Sequence, residues 1–308
     1  MSPKMLLPAL AAGLISLPAC DVLDWGPMER FSRDFHESYP MNADGRLSVE
    51  TYNGSVEIST WDQDTVDISG TKYGPTQAAA DGLRVDIDHH PDAVTIRVEK
   101  PLERRNNQGA RFVIKVPPAA RLDRITASNG GIHTMDGTGP ARLKTSNGTI
   151  RVEDLKGSLE AETSNGRVEL VNVSGDVVAH TSNGRIEAEG LRGSLEATTS
   201  NGSIRGAISK ASRDVRASTS NGPIDLTLPV DFLAEVHAHT SNGGITLRLP
   251  AEINAHVAAH TSNSSITSDF EVRTQGAFSK HELDGVIGAG GPLLDLSTSN
   301  GGIRLLKM

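Results

Sequence analysis

The chain has 308 residues, a formal net charge of −8, one cysteine, and 4% aromatic residues against 31 glycines. An acidic balance argues against nucleic acid as a partner, which a basic surface would attract. A single cysteine excludes an intrachain disulfide, and so few rings leave any core to aliphatic side chains and threonine.

Residues 1–20 read as an export signal. Lys4 gives the short basic start, residues 6–17 the apolar stretch, and Ala19-Cys20 its end. Leu17-Pro18-Ala19-Cys20 resembles the box of bacterial lipoproteins, which implies lipidation at Cys20 and a membrane anchor through that lipid. In similar lipoproteins an aspartate directly after the cysteine, here Asp21, implies retention in the inner membrane of some Gram-negative envelopes. Beyond the leader no stretch reaches the ~18 apolar residues of a membrane span. Residues 21–44 carry Trp25, Phe31, Phe35 and Tyr39 at no clean period, and are expected to form a tether that docks partly on the fold.

Two-residue alternation begins at residues 46–58, interrupted by Asn53-Gly54. This is the pattern of strands with one buried and one wet face. Further strands are expected at residues 65–69, 85–88, 94–98 and 112–116, a short helix at 76–83, and an exposed loop at 101–110. Residues 45–125 are expected to be a β-rich cap on the repeats at residues 126–308.

From residue 126 the chain repeats. Asn129, Asn147, Asn165, Asn183 and Asn201 stand 18 residues apart, and Asn221, Asn242 and Asn263 come next at spacings of 20, 21 and 21. A last copy, Asn300, stands after an insertion at residues 273–293. Each period reads as strand, Asn-Gly turn, strand, glycine turn. Two columns accompany the asparagines: threonine two residues before (Thr145 to Thr298) and isoleucine or valine three residues after (Ile132 to Ile303). A fixed short period means that one unit is stacked on itself. In-register stacking makes the Ile/Val column a buried stripe, turns threonine inward, and allows the asparagine amides to ladder from coil to coil. The expected fold is all-β, a parallel β-solenoid of 18–21-residue coils. A meander of hairpins is the competing fold, since Asn-Gly also marks hairpin turns. At Asn263-Ser264 the glycine is missing, so that turn is expected to be looser or to hold Asn263 in the left-handed region.

Asn53-Gly54-Ser55-Val56 with Trp61-Asp62, Val116-Pro117, serial Thr-Ser-Asn-Gly-x-Ile, and Gly288-x-Gly290-Gly291 before Thr298-Ser299-Asn300-Gly301 resemble a bacterial β-strand-repeat family named as adhesins, of unknown function. The resemblance covers about residues 45–308 and implies a right-handed solenoid, an envelope location and no established chemistry.

The residues themselves offer little chemistry. There is no phosphate loop and no nucleophile elbow, and the Asn-x-Ser/Thr matches fall on turn residues. Outward columns mix signs, as in Arg151, Glu169, Glu187 and Arg205, which reads as a solvated face with cross-strand pairs. One cluster stands out: Glu235, His237, His239, His256 and His260. Sequential stacking would put His239 beside His260 and Glu235 beside His256, one strand spacing apart, where imidazoles and a carboxylate can bind a divalent transition metal. His180 shares the column but lies three coils away. No cofactor is expected. Scattered carboxylates and coils almost free of insertions favour a non-enzymatic, exported envelope protein, periplasmic in a Gram-negative cell. It would offer an adhesion or scaffold surface to a protein or polysaccharide of the envelope. The alternatives are a carbohydrate-active β-helix enzyme and an envelope-stress or regulatory lipoprotein.

Overall fold

The computed structural model describes residues 31–99, 107–210 and 213–308. The expected leader, Cys20, the start of the expected tether and most of the expected loop at 101–110 lie outside the described residues. Those described form strands almost throughout, with one short helix, Gln77–Asp81. The helix begins where Thr76 caps it, its Oγ1 accepting from the Ala79 N–H at 3.1 Å; that is the usual N-terminal role of threonine.

Two long sheets face each other, one of 13 strands and one of 14. The two strands of one period lie in different sheets: Leu159–Thr163 in one, Val168–Val171 in the other. Asn-Gly is therefore a corner between sheets, and the hairpin meander is excluded. Pairing in the repeats is parallel and runs to the next period. Ile150 sits beside Val168, Val168 beside Ile186, and Ile186 beside Ile204. On the facing sheet Leu159 pairs with Val177 and Val177 with Leu195. The Ile/Val column is buried except at Ile266, which is half-buried, and an alanine column (Ala161, Ala179, Ala197, Ala217, Ala238) is buried on the other sheet. Small residues opposite large ones let a thin coil pack without rings.

The corner explains three residues of the repeat. Thr163, Thr181 and Thr199 are buried, and each hydroxyl donates to the glycine carbonyl of the preceding coil at 2.9–3.0 Å. The same oxygen accepts from the N–H of its own coil's glycine, as at Gly184 (3.2 Å). The asparagine amides bond one another at 2.7–2.8 Å in one line from Asn53 through Asn129, Asn147, Asn165, Asn183, Asn201, Asn221, Asn242 and Asn300 to Asn263. Glycine serves close approach. A Cβ on Gly184 would lie 1.7 Å from the Gly166 carbonyl oxygen.

Positive φ, expected at these turns, occurs at Gly54 (117°) but not at the Asn-Gly corners of the later coils. Among the described non-glycine residues it occurs only at Asp136 (62°), Asp154 (54°) and Asn172 (55°), and Gly190 (68°) continues the column. This is the opposite corner, where short polar side chains and glycine tolerate the left-handed region. Asn263 is not in that region: it ends the ladder by donating to Asn300, which holds its turn without a glycine.

Strand order departs from chain order at both ends. The strand Arg46–Asn53 lies between Ala93–Val98 and Arg121–Asn129, so the first coil is inside the stack. The last strand pair, Leu293–Thr298 and Ile303–Lys307, is likewise inserted between the coils that precede it in sequence. Antiparallel strands finish both ends. Phe31–Pro40 pairs over its whole length with Thr65–Gly74. Residues 31–40 of the expected tether are therefore a strand docked on the fold, held by Phe35 edge-on to Phe112 (6.3 Å) and Tyr39 stacked on His89 (4.0 Å). At the other end the insertion forms Val272–Ser279 and Glu282–Ile287, the second covering Ala255–Thr261. Gly109 and Ala110, expected in a loop, open the strand Gly109–Val116.

Candidate functional site

With glycine, threonine and the aliphatic columns turned inward, chemistry is left to the outward columns of the two faces. On the 13-stranded face a charge ladder crosses the coils. Arg151 bonds Glu153 and reaches Glu169 (3.3 Å), while Arg167 holds Glu169 at 2.9 Å. Arg205 stands between Glu187 (3.7 Å) and Asp225 (3.9 Å), and Arg248 meets Asp225 at 3.9 Å. The Glu153 carboxyl is held below the ordinary carboxylate range, first by its hydrogen bond from Arg151 and then by His133. The same bond holds the Arg151 guanidinium above its ordinary value. An open depression lies over Ala207, where the small side chain leaves Glu189, Arg205 and Arg248 around it.

On the 14-stranded face Lys144 donates to Glu162 (2.7 Å) and Arg213 to Asp176 (2.8 Å). Here the histidines gather, though not as sequential stacking requires. The strand Leu293–Thr298 separates the two coils concerned. His239 faces Ser297 across its register and not His260; its Nδ1 lies 2.8 Å from Ser297 Oγ. His237 faces Asp295, and His256 turns to Asp284 of the insertion, Nε2 to Oδ1 2.9 Å. Glu235 and His256 are not neighbours either. His239 and His260 are two strand spacings apart, about 9.6 Å, too far to share one ion. The expected five-residue set is therefore not assembled.

What the structure does assemble is Asp214, Glu235 and His237, each with a ligand atom within 4.8 Å of the others. Asp214 was legible as the equivalent of Glu235 one coil earlier. Asp295 joins this neighbourhood only through the inverted coil order, which no column alignment reveals. An open depression here is lined by Arg216, Ser218, His237, His239, Asp295 and Ser297, with Glu196 at its margin.

Aromatic residues are segregated from both repeat faces. Among the described residues every tryptophan and tyrosine lies before residue 74. Trp61 donates its indole N–H to the Thr65 carbonyl at 2.9 Å, with the Lys115 ammonium over its ring. The repeat faces thus offer charge and hydroxyls, not stacking surfaces. Among the described residues no helix is long and apolar enough to cross a membrane.

The Toastrack DUF4097 family matches residues 45–249. Among curated proteins no sequence matches. Similar solved structures include the following three. A candidate adhesin from Bacteroides fragilis is 13% identical, covers 90% of this chain and 97% of its own, and has a TM-score of 0.39. A candidate adhesin from Parabacteroides merdae is 11% identical over 89% and 96%, with a TM-score of 0.36. A candidate cell adhesion protein from Clostridium sporogenes is 10% identical over 90% and 100%, with a TM-score of 0.23.

Proposed function

The chain belongs to the Toastrack DUF4097 family, and we propose that it is a non-enzymatic protein of the cell envelope, exported and lipid-anchored at Cys20, whose two flat faces serve as an adhesion or scaffold surface. The observation that carries this reading is the unbroken asparagine ladder from Asn53 to Asn263. Nine steps of about 4.8 Å make a rigid body about 43 Å long with fixed outward columns. A stiff, regularly charged rod is suited to displaying a surface away from its anchor. The partner is a protein or polysaccharide of the envelope, bound through charge and hydroxyl contacts because the repeat faces lack aromatic platforms. The coil is taken as right-handed, the sense that parallel crossovers strongly prefer. In a Gram-negative cell the protein would face the periplasm.

Two measurements test this. Radiolabelled palmitate should enter the wild-type chain and not Cys20→Ser; equal labelling would remove the anchor from the proposal. Affinity capture of the tagged full-length chain from intact envelopes should enrich one fixed protein or polysaccharide. Release of glycan fragments during capture would instead favour a carbohydrate-active enzyme and overturn the non-enzymatic reading.

A further inference from the structure

The His237 ring poses a problem of protons. Its Nε2 lies 3.3 Å from Glu235 Oε2 and its Nδ1 3.3 Å from Asp295 Oδ2. A neutral imidazole carries one N–H, so one of the two contacts sets a nitrogen lone pair against a carboxylate oxygen. An imidazolium would donate to both carboxylates, whereas a neutral ring leaves one nitrogen lone pair able to ligate a cation.

The surroundings supply the rest of a site. Asp214 and Glu235 precede strands that pair in register, Val215 beside Val236, so the two carboxylates stand on adjacent coils at the same corner. His237 is two residues past Glu235 on the same face, which brings its ring over both. Arg216 donates to Asp214 Oδ2 at 3.1 Å, leaving the other oxygen. Counting Asp214, Glu235 and Asp295 as −3 and Arg216 as +1, the cluster carries −2 with a neutral ring. Glu196, beside Arg216 across the register, adds a further negative charge. If Asp295 accepts the Nδ1 proton, the Nε2 lone pair points toward Glu235 and Asp214. A carboxylate on the far nitrogen of a ligating histidine is how proteins orient such rings.

We propose that Asp214, Glu235 and His237 bind one divalent transition-metal ion on the outer surface of this sheet, with Asp295 orienting the His237 ring. One nitrogen and two carboxylates suit Zn²⁺ or Mn²⁺. The His237 side chain is 26% exposed and that of Glu235 50% exposed, so coordination positions remain open to water or to an oxygen donor of a partner. The ion would also clamp two coils where the repeat spacing has lengthened from 18 to 20 and 21 residues. This inference is independent of the adhesion reading, since the ligands serve either a scaffold or an enzyme.

The test is calorimetric titration of the full-length, chelator-stripped chain with ZnCl₂ and, separately, MnCl₂. One ion per chain is expected for at least one of the metals. His237→Ala and Glu235→Gln should lose saturable binding, Asp295→Asn should weaken it about tenfold, and His239→Ala and His260→Ala should leave it unchanged. The urea midpoint of each variant shows that its fold is retained; because these side chains lie at the surface, midpoints near wild type are expected. Absence of saturable binding of both ions would overturn the proposal, with the ring then held as an imidazolium between two carboxylates. Binding that survives both His237→Ala and Glu235→Gln would overturn it as well.

Discussion

Alanine at Gly184 tests whether close approach between coils selects glycine at this corner. The added Cβ would sit 1.7 Å from the Gly166 carbonyl oxygen, and that oxygen is backbone. A carbon and an oxygen settle at about 3.3 Å, so the two coils must part locally by about 1.6 Å or the chain must strain. Parting breaks what crosses this corner: Thr181 Oγ1 to Gly166 O (2.9 Å), Asn183 Nδ2 to Asn165 Oδ1 (2.8 Å), and Asn183 N to Ser164 O (2.9 Å). At about 1 kcal/mol each, with the exposed amide recovering part of its loss in water, the cost is about 2–3 kcal/mol. Straining instead costs about 1–3 kcal/mol, so the two routes together predict a loss of about 1–3 kcal/mol. Gly137→Ala is the control, because its Cβ would meet only Leu155 Cδ1 at 3.0 Å, the far end of a side chain that can turn away. It should cost less than about 1 kcal/mol. Urea unfolding gives the two midpoints. Amide exchange at residues 182–203 reports local opening, which a stacked repeat permits without global unfolding. If Gly184→Ala stays within about 0.5 kcal/mol of wild type, or costs no more than Gly137→Ala, the close-approach account is wrong.

Three further outcomes are expected. Thr199→Val keeps the shape but removes a buried hydroxyl that donates to Gly184 O (3.0 Å) and accepts from Gly202 N (3.2 Å); it should cost about 1–3 kcal/mol in urea unfolding, and Thr199→Ser should restore most of it. Because the folded Glu153 carboxyl is held low, its contribution is present above the unfolded carboxylate value and lost as pH falls through the depressed one. The stability gap between wild type and Glu153→Gln, from urea midpoints across an acid series, should shrink over that window, and a gap independent of pH would contradict the pairing. Removing residues 272–287 uncovers the edge of Ala255–Thr261, and unpaired edges recruit other chains. Sedimentation should then show concentration-dependent association that the intact chain lacks.

The columns of the repeat are readable because stacking in register gives every coil the same environment at the same phase. Ile186 and Ile204 have to be buried once each coil rests on another, and Thr181 has to join them by the period of two. Gly184 departs from the turn expectation for a physical reason. Asn-Gly marks both left-handed turns and places where backbones nearly touch, and only coordinates separate a φ preference from a missing Cβ. The left-handed residues are Asp136, Asp154 and Asn172, which carry the same tolerance but lack the conspicuous glycine. The strand Phe31–Pro40 is not legible in the sequence because its positions are almost all exposed, which leaves no alternation to read.

The histidine set fails to assemble for a deeper reason, one inherent in repeats. A coil carrying Thr-Ser-Asn-Gly can stack on any other such coil, since the Thr–Gly and Asn–Asn bonds are the same at every interface. The repeat therefore encodes how coils meet and is silent on which coils meet. That choice falls to the connections. Where one coil runs directly into the next, as from residue 126 to 249, spatial order matches chain order. Where a long connection intervenes, the chain can return to either side of the coil it left. There are two such places, after Thr60 and after Ser268, and the order inverts at both. At the first, the strands Ala93–Val98 and Gly109–Val116 lie outside the coil at 46–60. At the second, residues 293–307 pass inside the coil at 255–268. The second inversion puts Asp295 against His237 and parts His239 from His260, so an insertion that supplies none of the three proposed ligands decides which side chains surround them.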